Sequence, residues 1–264
     1  MTTAYCQMAL PLIAFALACA PPLVPPGDDT IAVRGTAAKG PFQAGSSVVI
    51  TSGVNEVVST TVSDALGHFS ATVHGAAIEV SVTGAYLDEL TGAASSAPVA
   101  LRARASVQNL GQRDVSVNVI THLIDARVQA LVDDGDRIDD AQATAASELY
   151  GALALGATPP TRVPNEITLV DGDSDDAAYL LYASAVLLEV AARDGSSAQA
   201  VLDRFAADLA DGNLDDENVS AAHAAERDVV LVLDDVVLHV QTALHDAGSS
   251  SRAPDPRRIL GGPG

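Results

Sequence analysis

Tryptophan is absent from this chain, and aromatic residues make up 3% of its 264 residues. Sugar-binding surfaces are usually built on exposed aromatic rings, so the shortage argues against a carbohydrate-binding module. Cysteine is almost absent too: Cys6 and Cys19 are the two, both close to the N-terminus. The body of the chain can therefore form no disulfide, no thiolate zinc site and no cysteine nucleophile. Positive charge is scarce. There are 34 Asp plus Glu against 14 Lys plus Arg, a net charge of −20. Such a surface repels phosphate backbones and argues against nucleic acid as a partner. It also argues against docking of the folded surface on anionic lipid. No charged residue at all occurs in 1–27. Long apolar runs are missing as well. The longest, over 8–20, is interrupted by Pro11 and falls short of the ~20 residues that span a bilayer.

What that run does fit is the apolar region of an export signal, about 7–15 residues long. Small residues cluster behind it at Ala16, Ala18 and Ala20, where a signal peptidase could cut. The segment Ala16-Leu17-Ala18-Cys19 resembles the lipobox of bacterial lipoproteins. That resemblance implies that Cys19 becomes the first mature residue and carries a diacylglycerol on its thiol. Residues 1–18 are then the signal, and 19–29 a proline-rich tether, since proline favours extended, semi-rigid chain. An anchor at Cys19 places the protein in the cell envelope as an outer-membrane lipoprotein, held to the membrane by the lipid. A conventional cut, with Cys19 an ordinary cysteine and the protein periplasmic or secreted, is the alternative.

The remaining chain divides by period. Over 30–108 it reads as short strands rich in β-branched residues, several alternating apolar with polar, as at Ile78, Val80 and Val82. Gly40, Gly45, Gly67, Gly75 and Gly84 punctuate them. Six or seven short strands in this space predict a small antiparallel β-sandwich. Asp64 to Gly67 predicts a tight turn, with Asp64 bonding backbone amides and Gly67 free to take positive φ. Phe69 then points into the core, and Gly40 and Gly45 bracket a turn or bulge. Over 115–247 the apolar residues recur at three- and four-residue steps, from Val119 and Ile120 to Leu123, Val128, Leu131 and Val132. Asp139 and Asp140 suit a helix start, and Pro159 to Pro164 must be a loop. Further helices are predicted over 177–192, 197–209 and 216–244, giving four or five in a bundle. Residues 248–264, rich in Pro, Gly and Arg, predict a disordered tail. The fold class is therefore α+β with segregated halves.

Three blocks carry a second resemblance. They are Lys39-Gly40-Pro41-Phe42 running on to Gly45, Asp64-Ala65-Leu66-Gly67-His68-Phe69, and Gly84-Ala85-Tyr86-Leu87-Asp88-Glu89-Leu90-Thr91-Gly92. With Asn118-Val119-Ile120-Thr121-His122-Leu123, they are similar to uncharacterised bacterial surface lipoproteins. In that family a carboxypeptidase-regulatory-like (transthyretin-like) sandwich precedes a helical region. The resemblance covers roughly 31–246. It implies a fold and an envelope location, but no reaction.

Few residues point to chemistry. Asp171, Asp173 and Asp175 have the spacing of the first half of a calcium loop. Position six is Asp176 rather than glycine, however, and position twelve is Tyr182 rather than glutamate. Asp211, Asn213 and Asp215 repeat the spacing, with Ala222 at position twelve. Both clusters precede predicted helices, so helix capping competes with calcium. The histidines at 68, 74, 122, 223, 239 and 245 form no two-histidine zinc signature, and His122 reads as a packing or capping residue. No nucleophile elbow, phosphate-cradling loop or dinucleotide fingerprint occurs. The expectation is a non-enzymatic binding or scaffold module with no catalytic residues, no cofactor unless calcium, and an envelope protein as partner. A secreted hydrolase, or an accessory domain of a peptidase system, is the alternative.

Overall fold

The computed structural model describes residues 30–53, 55–106, 112–170 and 172–261. The signal, Cys19, the tether 19–29 and Asp171 lie outside them.

Seven strands come first: β1 (Thr30–Ala38), β2 (Ser47–Ser52), β3 (Val57–Thr61), β4 (His68–His74), β5 (Ala77–Gly84), β6 (Val99–Ser106) and β7 (Gln112–Asn118). Six helices follow: α1 (Val119–Asp133), α2 (Ile138–Leu153), α3 (Asp175–Asp194), α4 (Ala198–Asp208), α5 (Asp216–Leu231) and α6 (Leu233–Asp246). The strands form two sheets, ordered β4-β1-β7 and β3-β2-β5-β6. Their alternation does what the sequence pattern requires. Ile78, Val80 and Val82 of β5 are buried while the residues between them are half-buried. Each such side chain contributes about 1.5–3 kcal/mol of burial. Phe69 is buried as expected.

The expectation of an all-antiparallel strand region needs one correction. β7 pairs parallel to β1, with Ala32 opposite Gln112 and Ala38 opposite Asn118. Parallel partners need a long crossover, and here the whole of β2 to β6 supplies it. β7 belongs with the strands and runs straight into α1. Asn118 ends one and caps the other. Its side chain accepts from the Thr121 amide at 3.0 Å, while Thr121 Oγ1 accepts from the Asn118 amide at 2.9 Å. The same side chain donates through Nδ2 to the carbonyls of Pro164 (2.8 Å) and Ile167 (3.0 Å). One buried asparagine thus ties sheet, helix and the 3-10 turn Pro164–Glu166 together.

Two further expectations are corrected. The helical run 216–244 is two helices, broken at Val232 (φ −116°, ψ 12°). Asp234 and Asp235 in the first turn of α6 favour a new helix N-terminus there. Second, the tail is docked as far as it is described. Ala253 and Ile259 are buried, the Thr158 amide donates to the Ile259 carbonyl at 2.9 Å, and Leu260 bridges to Ala157. Its composition is that of disorder, but two apolar residues and an arginine at the right positions are enough to hold it. A single apolar core runs through both halves, from Ile31 to Ile259.

Candidate functional site

An open groove of about 810 Å3 lies where the outer face of the three-stranded sheet meets the loop before α3. Strand register builds its floor in rows. Ser70, Arg34 and Asp114 lie side by side across β4, β1 and β7, and His68, Thr36 and Ser116 form the next row. Between these rows Gly35 turns inward. A Cβ there would sit 2.2 Å from the Val115 carbonyl oxygen and 2.3 Å from the Phe69 ring. The glycine lets the strands close over one of the few large core side chains.

The wall is Arg162, Asn165, Glu166 and Thr168. Asp176, in the first turn of α3, holds it by accepting from the Thr161 amide at 2.7 Å and from Arg162 Nε at 3.1 Å. Arg34 has no ion-pair partner among the described residues. The Asp64 turn forms as expected: Oδ1 accepts from the Leu66 and His68 amides at 3.0 and 3.2 Å, and Gly67 has φ +84°. Its other oxygen meets His68 Nδ1 at 2.8 Å. Desolvation raises the Asp64 pKa, but the bonds from His68 and Leu66 outweigh it and hold the carboxyl below its ordinary value. His68, which lines the groove, is therefore paired from outside it by Asp64, and Thr36 Oγ1 lies 3.2 Å from Ser116 Oγ. Among the described residues the His68 ring is bonded to Asp64.

A second polar cluster is sealed off. Lys39, just after β1, and Glu89, in the loop between β5 and β6, are both fully buried, with Nζ 3.8 Å from Oε2. Ser184 of α3 bridges them, accepting from Lys39 Nζ at 3.3 Å and donating to Glu89 Oε1 at 2.6 Å. Glu89 Oε2 has no hydrogen-bond partner. Tyr86 places its ring 5.0 Å from the amine. Gly40 has φ +55°, and a Cβ there would meet the Leu87 carbonyl oxygen at 2.2 Å, so glycine is needed to bring the two loops together. His239 of α6 donates through Nδ1 to the Glu89 carbonyl at 3.0 Å and fixes the acid's backbone. Burial lowers the Lys39 pKa, opposed by the charges of Glu89 and Asp88.

The sequence pattern passed over this cluster, although Lys39, Gly40, Tyr86 and Glu89 fall in the blocks that carry the family resemblance. A signal was present: Lys39 is the sole lysine of the chain, every other cation of that kind being arginine. Arginine cannot shed its proton in a protein, whereas a buried lysine can.

The remaining candidates fall elsewhere. Asp173 and Asp175 are engaged by Arg258 of the docked tail, at 2.9 and 3.0 Å. Asp173 also accepts from the Asp255 amide at 3.2 Å. Asp211 turns back on the Asn213 amide at 3.0 Å, and Asp215 caps α5 with its amide on Asp208. The Asp208 charge raises the Asp215 pKa. Among the described residues no three His, Cys, Asp or Glu side chains converge on a metal position. Gly45 (φ +88°) ends the turn that leads into β2. His122 packs inside α1, but both ring nitrogens lack hydrogen bonds. Asp203 Oδ1 lies 3.5 Å from Nε2. His223 donates to the Leu153 carbonyl at 2.8 Å.

Comparison with protein-family models, with curated proteins and with solved structures finds no match to this chain.

Proposed function

We propose that the protein is an exported envelope lipoprotein, anchored through Cys19, that works as a non-enzymatic binding or scaffold module with the groove as its binding surface. In this reading the strand half is a carboxypeptidase-regulatory-like sandwich that displays the groove away from the membrane at the end of the 19–29 tether. The observation that carries the binding role is Arg34, a guanidinium with no ion-pair partner among the described residues, set in the floor of an 810 Å3 groove beside Asp114, with Arg162 and Glu166 on its wall. A guanidinium fork takes a carboxylate bidentately, and Glu166 on the wall takes an amine or guanidinium. That alternation suits an extended polar segment of an envelope protein.

A photo-crosslinking residue at Ser70, in the groove, and another at Leu231, outside it, test this in the native host. A partner captured from Ser70 alone, and lost on Arg34→Ala, supports the groove. Equal capture from both sites sinks it. Cys19→Ala tests the anchor by cell fractionation, where unchanged membrane retention counts against lipidation.

The hydrolase reading keeps one observation in its favour, the Asp64–His68 pair facing Thr36 and Ser116. Peptide cleavage by the purified chain that disappears in His68→Ala would replace the binding reading with that one.

A further inference from the structure

We propose that Lys39 and Glu89 condense inside the folded protein to form an internal amide cross-link. This is independent of the groove and of the binding role.

Three observations support it. The first is geometric. Nζ and Oε2 stand 3.8 Å apart with both side chains fully buried, so the amine is held directly beside the carboxyl group whose Cδ it would attack. Three segments far apart in sequence hold them: Ser184 lies 145 residues from Lys39 and 95 from Glu89.

The second is unmet hydrogen bonding. An ammonium has three donors, yet this one meets Ser184 Oγ at 3.3 Å and stands 3.8 Å from the carboxylate. Glu89 Oε2 accepts nothing. As separate ions, both groups carry a desolvation cost that such contacts repay poorly. An amide needs one donor and one acceptor satisfied, and the Ser184 hydroxyl already points at the oxygen that would become its carbonyl.

The third is the choice of residue. In a chain that otherwise uses arginine, the buried cation is the one side chain of its kind that can become a neutral amine nucleophile.

The step balances without a co-reactant. A proton passes from the ammonium to the carboxylate, a transfer that burial favours. The amine lone pair adds to Glu89 Cδ, forming the N–C bond. The Ser184 hydroxyl, 2.6 Å from Oε1, stabilises the charge that develops on that oxygen. The Cδ–Oε2 bond then breaks. Its hydroxyl takes one proton from nitrogen and leaves as water, and Nζ keeps its other hydrogen as the amide N–H. Ser184 is thus a catalytic residue, touching both reacting groups.

A lone lysine makes the test direct. The full-length protein is purified, denatured and digested with trypsin. A free Lys39 is cut, giving fragments 35–39 and 40–102, because Arg34 and Arg102 are the flanking tryptic sites. The amide blocks that cut and gives a single fragment, 35–102, lighter than its sequence mass by one water. The second pattern is expected. Full cleavage at Lys39 with the unmodified masses overturns the proposal. Fragmentation spectra must place the bond between Lys39 and Glu89, and a bond placed on another acid also overturns it. Ser184→Ala retains both reactants and is expected to form the link about a hundredfold more slowly. An unchanged rate removes the serine's role.

Discussion

The strand half and the helical half meet at two polar places built from similar groups, a cation, a carboxylate and a hydroxyl, yet the two behave oppositely. The groove is open, and its charged pair is exposed. Asp64 and His68, although only 2.8 Å apart, keep 45% and 43% of their side chains exposed. Exposed pairs of this kind are worth about 0–1 kcal/mol, so a ligand can displace this one at little cost. Around Lys39 and Glu89 no water enters, and the same chemistry becomes structural and reactive. The difference lies in solvent access, set by which loops and helices close over each cluster.

The comparison predicts unequal responses to single substitutions. Lys39→Ala leaves the buried Glu89 as a carboxylate with neither an ion-pair nor an amide partner and is expected to lower stability by about 3–5 kcal/mol. Arg34→Ala in the groove is expected to fall within about 0.5 kcal/mol. Urea midpoints of the two variants measure this, and similar shifts would break the distinction. Asn118→Ala comes next. It removes the α1 cap and leaves the buried Pro164 and Ile167 carbonyls without their donor, for a loss of about 2–3 kcal/mol. Because those carbonyls lie in the segment that carries the wall residues Asn165, Glu166 and Thr168, crosslinking from Ser70 should weaken in this variant as well, which would show that the buried network shapes the open site.

A smaller effect follows from Asp64, whose hydrogen bonds span a half-exposed turn. Asp64→Ala is expected to cost about 1 kcal/mol. Its folded carboxyl lies below the ordinary 3.8. Its stabilisation is therefore complete above that value and disappears as pH falls through the lower folded value. The wild type should show an acid limb in that window that the variant lacks.

His122 tests the buried side of the comparison at milder pH. Desolvation pulls its pKa below the ordinary 6.5 against the nearby carboxylates of Asp203 and Asp125. The unfolded chain then binds the proton first. Stability is full above 6.5 and declines as pH falls toward the folded value. Thermal melts from pH 7.5 to 5 should show a drop that His122→Leu flattens. An equal drop in the variant would assign the effect to other groups.

Much of the fold was legible locally. Short alternating stretches mark β1 to β6, the 3.6-residue period begins at the residue after Asn118, and Asp64 with Gly67 announces its turn. Each signal lies within a few neighbouring residues. β7 was not legible. Its first half, Gln112-Arg113-Asp114, is polar, and its partner β1 lies on the far side of five strands. The docked tail was hidden for a related reason: composition averages over a segment, while docking depends on Ala253, Ile259 and Arg258 meeting particular partners. Of the groove, Asp64 and His68 stood out, whereas Arg34, Asp114 and Arg162 are ordinary surface residues until the register and the 161–168 loop bring them together.

What the sequence settled by itself is therefore the local and the compositional. It set strands before helices, the turn residues, the acidic surface and a body without thiols, because these follow from backbone preference, hydrophobic period and charge count. The tertiary structure alone decided which polar groups share a space and whether water reaches them. A lone lysine can be counted in a sequence. That it sits fully buried beside Glu89, bridged by Ser184, depends on three distant segments closing over it, and removal from water is what turns an ordinary amine and carboxylate into a reactive pair.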